Sequence, residues 1–261
     1  AHNYVWSTDI YGSLTYFQTI APYGVGPKMV APWVPQKGKT YHHYGISINA
    51  DQHVWLGGYH SYWVLRYKPN RSSFSTMHKG SWTRIDVPNG FVTRGIAADD
   101  RGKVWVAIQN GGYLLRVNQS IKDGHHKPKW TLNSNYWKLT ADTVIGAGVD
   151  FDGHIWGVGY KNGIASRITV DKQGNVTNVN SGLQDNVKIG KNPYTYSDFT
   201  GFGLSNFVRP SGRWVYQHKP CPKGIKAQWK QITWNATTPP GTAVALRVRT
   251  GDSDTTFGKW S

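Results

Sequence analysis

The segment Arg94-Gly95-Ile96-Ala97-Ala98-Asp99-Asp100-Arg101-Gly102-Lys103-Val104-Trp105-Val106-Ala107 carries the clearest structural signal in the chain. Two short apolar runs flank Asp99-Asp100-Arg101-Gly102, where Asp can bond the turn backbone and Gly tolerates positive φ, so the segment reads as a β-hairpin. The arrangement recurs. Upstream stand Tyr44-Gly45-Ile46-Ser47-Ile48-Asn49-Ala50-Asp51 and Val54-Trp55, and downstream Gly148-Val149-Asp150-Phe151-Asp152-Gly153-His154-Ile155-Trp156. A degenerate copy runs from Gly203 to Trp214, and Val5-Trp6 reads as the second strand of a copy whose first strand lies upstream. The tryptophans at 6, 55, 105, 156 and 214 are thus separated by 49, 50, 51 and 58 residues.

A period near fifty residues with several strands per unit marks β-propeller blades or a similar array. Within one unit, strands are predicted near 94–99, 104–109, 113–118 and 128–139, the four-stranded sheet of a single blade. The tryptophan near the start of each second strand supplies a large ring to bury between neighbouring blades. The expected fold class is therefore all-β, with about four to five four-stranded propeller blades over residues 1–218. Residues 219–261 follow another pattern: Trp229 to Thr237 and Ala243 to Thr250 alternate as two strands around Pro239-Pro240-Gly241. They resemble the start of a jelly-roll-like β-sandwich and are too short to complete one, so this segment is expected to be partial.

Thirty Gly and thirteen Pro among many Val, Ile, Tyr, Trp and Phe argue against a helical fold. No apolar run approaches the roughly 18 residues of a membrane-spanning helix. The start, Ala1-His2-Asn3-Tyr4, has neither Met nor a signal-peptide core, which fits a processed, exported chain. Cys221 is the sole cysteine, so no disulfide forms within the chain. The expected setting is secreted, extracellular or at a cell surface.

Thirty Lys and Arg face fourteen acids, all of them Asp, giving a formal net charge of +16. The absence of Glu marks either a biological bias or Glu positions represented by Gln, Lys or smaller residues, and in the second case +16 overstates the charge. Such a balance favours anionic partners, namely an acidic polysaccharide or other envelope and surface proteins. Nucleic acid is disfavoured because the charge is dispersed. Leu65-Arg66-Tyr67-Lys68 and Leu246-Arg247-Val248-Arg249 alternate apolar and basic residues, which predicts charge on the solvated face of half-buried strands.

Gly95-Ile96-Ala97-Ala98-Asp99 with Gly102-Lys103-Val104-Trp105-Val106-Ala107 resembles the repeat of streptogramin lyase-like (virginiamycin B lyase-like) propellers, over about residues 3–218. The resemblance implies a closed ring of about six or seven blades, which other chains, further residues or a larger blade count would supply. It also implies a His, a Glu and a magnesium ion near the central channel. No Glu exists here to fill that role, and Leu56-Gly57-Gly58, Val106-Ala107-Ile108 and Gly157-Val158-Gly159 occupy the stretches where the family commonly has an acid. A non-catalytic binding or assembly role is favoured, with a lyase-like or metal-dependent enzyme as the alternative.

The candidate ligand site is the channel mouth, where Tyr41, His42, His43, Tyr44 and Arg94 combine rings with cationic donors suited to an anionic sugar or small carboxylate. If a divalent metal ion binds, His42 and His43 are the expected ligands. His53 and His154 share a turn position and read as exposed turn residues. Asp150-Phe151-Asp152-Gly153 reads as a turn more readily than as a calcium loop, since further acids do not follow. Trp33, Trp63, Trp82, Trp130 and Trp137 are left as possible surface aromatics.

Overall fold

The computed structural model describes residues 4–9, 12–18, 28–30, 42–118, 121–150, 152–177 and 185–195, together with 216, 230–233, 235, 237, 244–246, 248–249 and 251. The chain divides into two compact units, residues 1–211 and 212–261, slightly before the expected boundary at 218/219. In the second unit the described residues, among them 230–233 and 244–246, carry no strand assignment, and the rest of the two expected strands lies outside the described residues. No helix among the described residues is long and apolar enough to cross a membrane.

The first unit is a succession of sheets. Strands β1 (Tyr4–Thr8), β2 (Leu14–Gln18) and β3 (Lys28–Val30) form a three-stranded sheet in that order. The second sheet contains β4 (His43–Ile48), β5 (Val54–Gly58), β6 (Trp63–Lys68) and β7 (Ser81–Asp86). The third contains β8 (Thr93–Ala98), β9 (Lys103–Ile108) and β10 (Tyr113–Asn118), then skips β11 (Gly124–His126) and ends on β12 (Tyr136–Lys138). The fourth contains β13 (Val144–Val149), β14 (Ile155–Gly159), β15 (Ile164–Ile168) and β16 (Asp185–Lys188). The fourth repeat copy, Gly203 to Trp214, lies outside the described residues.

Two details differ from the sequence reading. The final strand of the third sheet is only Tyr136–Lys138, and the preceding segment instead lays β11 parallel to β7 on the neighbouring sheet. The third copy also starts two residues earlier than Gly148. Pairing skips at His43/Ile46, Thr93/Ile96 and Val144/Gly146, which makes Gly146 the counterpart of Gly45 and Gly95. A Cβ on Gly45 would stand 2.9 Å from the Gly95 Cα, and one on Gly95 would stand 2.9 Å from the Gly146 Cα. The innermost strands β4, β8 and β13 therefore meet backbone to backbone, an approach that only glycine permits.

Each inner hairpin is held by the residue that opens its turn. Asp99 Oδ1 accepts the N–H groups of Arg101 and Lys103, and Oδ2 accepts the indole N–H of Trp105 at 2.9 Å. Asp150 does the same for Asp152, His154 and Trp156, and its carbonyl accepts the Gly153 N–H, the turn expected after Asp150. Across the adjacent strand, Trp55 lies opposite Arg66, Trp105 opposite Arg116 and Trp156 opposite Arg167. Each guanidinium carbon sits 5.7 Å from its ring centroid, so an acid or amide, an indole and a guanidinium form one layer in three successive sheets.

Trp55 and Trp105 are fully buried. Trp55 packs with Ile96, Val104 and Val106 of the third sheet, and Trp105 with Val144, Ala147 and Ile155 of the fourth. Trp6, partly buried, joins Leu56 and Leu65 of the second sheet. Trp6, Trp55 and Trp105 thus fill the spaces between sheets as the repeat predicts, whereas Trp156 is half-buried and Trp214 lies outside the described residues. Trp137 is also packing rather than surface, buried against Trp105 at 5.6 Å between ring centroids. Trp63, Trp82 and Trp130 are half-buried, and Trp33 lies outside the described residues.

Arg66 corrects the expectation that alternating basic residues lie on solvated faces. Its side chain is 4% exposed, and its guanidinium reaches the Asp123 carboxylate at 2.6 Å. A planar cation beneath an indole and beside a carboxylate tolerates burial that an isolated charge would not.

Candidate ligand site at the start of the inner strands

Arg94 precedes the glycine of β8, as Tyr44 precedes that of β4, so the repeat places both at the same level of adjacent blades. The Arg94 guanidinium carbon lies 5.1 Å from the Tyr44 ring centroid and 4.1 Å from that of Tyr59. Those two rings stack with centroids 6.2 Å apart. Arg94 Nε donates to Gln109 Oε1 at 2.6 Å. Tyr59 and Gln109 each stand four residues beyond the repeat tryptophan, just past the end of β5 and β9, so they too are equivalent positions. A third equivalent, Tyr160, meets Tyr194 at 5.8 Å. Tyr194 also lies 6.4 Å from Tyr44, whose hydroxyl donates to the Thr195 carbonyl. The segment after β16 therefore reaches from Tyr160 to Tyr44, across the starts of the inner strands.

Arg94 is only 5% exposed, yet its Nη1 has no hydrogen-bond partner and no carboxylate pairs with it among the described residues. Thr195 Oγ1, in the same cluster, is likewise buried without a partner among the described residues. A buried donor left unpaired costs about 1–3 kcal/mol, and more when charged. The rings flanking Arg94 offset part of that cost through their π faces, but they offer no acceptor in the guanidinium plane. This edge suits a carboxylate, whose two oxygens match the guanidinium fork.

The five residues expected at this mouth divide. Tyr44 and Arg94 are brought together, and His42 lies 6.4 Å from Tyr59, edge to face. Tyr41 lies outside the described residues. His43 points elsewhere: it is 3% exposed, and its Nδ1 is 3.0 Å from the Thr8 hydroxyl on β1. Burial pushes its pKa down to about 4 despite the opposing charge of Asp9. His42 lies just before β4, against Tyr59, while His43 opens the strand and is turned to Thr8. No group of three His, Cys or Asp side chains able to hold a metal ion occurs among the described residues. His53 and His154 are half-buried rather than exposed, and His154 Nδ1 accepts the Val170 N–H.

Tyr59, Gln109 and Tyr194 were not among the expected residues. The first two were detectable, because the repeat period maps Trp55-plus-four onto Trp105-plus-four. Tyr194 carries no repeat signal and is brought in by the returning chain.

No family model and no curated protein matches the sequence. Among solved structures, a streptogramin B lyase superimposes with a TM-score of 0.50 at 15% identity, covering 72% of this chain and 52% of that one. The architecture is that of a β-propeller. A catalytically inactive virginiamycin B lyase from Staphylococcus aureus, crystallised with quinupristin, gives a TM-score of 0.48 at 18% identity, over 67% of this chain and 50% of that one. The extracellular domain of a one-component system from B. thetaiotaomicron gives 0.43 at 17% identity, over 67% and 23%. The present chain matches about half the length of the lyases. At these identities the likeness speaks for the fold alone.

Proposed function

We propose that this chain is a non-catalytic binding protein whose propeller presents Arg94, flanked by Tyr44 and Tyr59, to a single carboxylate on an anionic saccharide or surface component. The observation that carries the reading is the buried guanidinium with Nη1 unpartnered. The stacked tyrosines provide apolar area beside the charge, the combination that suits a sugar ring bearing an acid. A secreted or surface location is the setting in which such a scaffold would meet its ligand.

The test is calorimetric titration of the full chain with D-glucuronate and short polyuronate oligomers, using the neutral sugars as controls. Arg94→Gln should weaken binding by about tenfold or more, as expected when a charge-assisted hydrogen bond is lost. Gln109→Glu should weaken it comparably, because an internal carboxylate then occupies the guanidinium while the fold is retained. Equal affinity of wild type and Arg94→Gln, or no preference for the acidic over the neutral sugar, overturns the reading.

A further inference from the structure

The connection between β10 and β12 leaves its own blade. It lays β11 along β7, with Gly124 opposite Thr83 and His126 opposite Ile85, so residues of the third blade become the outermost strand of the second. Three contacts fix the excursion. Asp123 holds Arg66 at 2.6 Å, His125 Nε2 lies 2.9 Å from Asp86 Oδ2, and the Trp130 indole donates to the Asp86 carbonyl at 2.9 Å.

Between this excursion and β10 lies a cavity of about 410 Å³. That volume is within the range of small-ligand sites. Its wall includes Arg116, His126, Lys127, Lys129 and Trp130, and contains no acid among the described residues. Asp123, the acid nearest in sequence, is already engaged by Arg66 and by the Ser81 hydroxyl. Arg116 is occupied too: it donates to the Gly174 and Ser134 carbonyls and lies over Trp137, so it adds charge without needing a ligand. Lys127 and Lys129 are exposed and form no ion pair among the described residues. The cavity thus offers two available ammonium groups beside a half-buried indole, in a wall whose charge is of one sign.

We infer that this rim cavity is a second binding site, for a multiply anionic saccharide such as a sulfated oligosaccharide. Two point charges meet two separate anionic groups, where the single fork of Arg94 meets one. The indole offers an apolar surface to a sugar ring. Single-stranded nucleic acid is the less fitting polyanion, because its bases stack on successive aromatic platforms and Trp130 is the one Trp, Tyr or Phe among the described residues of this wall.

Calorimetry of the full chain with a heparin-derived tetrasaccharide tests the site. Lys127→Gln with Lys129→Gln should weaken binding by about tenfold, whereas Lys172→Gln with Lys191→Gln, an equal charge loss at exposed positions on another blade, should change it by less than about twofold. Lys127→Gln with Lys129→Gln should leave glucuronate binding unchanged, which separates this site from the carboxylate site. An unchanged urea midpoint would confirm that both lysine pairs leave the fold intact. Equal losses in the two double variants would reduce the effect to net charge and overturn the proposal. So would no binding by the wild type, or tighter binding of a single-stranded oligonucleotide than of the saccharide.

Discussion

The Trp55 indole N–H is buried without an acceptor among the described residues, whereas those of Trp105 and Trp156 each donate to a carboxylate. The difference traces to the residue that opens the turn. Asn49 has one acceptor oxygen, which takes the His53 N–H at 2.8 Å, and its other branch is an amide nitrogen that cannot accept. Asp99 and Asp150 have a second oxygen for the indole. The difference also shows at Arg66: Asp150 lies 4.0 Å from Arg167 and Asp99 acts electrostatically on Arg116, whereas Arg66 is ion-paired to Asp123, outside the hairpin, with Asp51 of the turn as a lesser influence. Asn49→Asp should therefore stabilise the protein by about 1 kcal/mol, read as a higher urea midpoint at unchanged slope. A lower midpoint would show that desolvating the new carboxylate outweighs its bond to Trp55.

At the scale of the strand, the glycine in each inner bulge sets how closely blades approach. An added Cβ at Gly95 would stand 2.7 Å from the Ile145 carbonyl oxygen and 3.0 Å from the Ala147 nitrogen, both backbone atoms that cannot swing away. Gly102 has φ +75° and open space around its Cβ position, so its constraint is conformational alone. Gly95→Ala should cost about 2–3 kcal/mol by forcing β8 and β13 apart, and Gly102→Ala only about 1 kcal/mol. Equilibrium unfolding of both variants checks the order, and a smaller loss at Gly95 would refute the close-approach account. The hairpins were legible in the sequence because their turn chemistry and β-branched runs are local. β11 was not: Gly124-His125-His126 has no alternation and little strand propensity, and its pairing is set by the edge of another blade.

Across the molecule, the repeat conveyed the blades, the tryptophan layer and the meeting of Tyr44 with Arg94, because all of them recur with the period. It did not convey contacts that cross blades out of phase. Tyr194 over Tyr44 is one, and His43 against Thr8 is another, joining the second sheet to the first. That junction gives the folded state a pH dependence. His43 has an ordinary pKa of 6.5 and is held at about 4 by burial. As pH falls below 6.5 the unfolded chain takes up a proton that the folded chain refuses, so stability is fully present above that value and declines until the folded pKa is reached. Asp99 acts with the opposite sign, since burial raises its pKa and acid relieves that penalty, and His53, also lowered by burial, adds to the decline. The His43 share must therefore be read as a difference between proteins. Between about pH 7 and about pH 5, wild type should lose about 2 kcal/mol more than His43→Gln in urea unfolding. Identical pH dependence in the two proteins would mean that His43 is not held neutral at the junction.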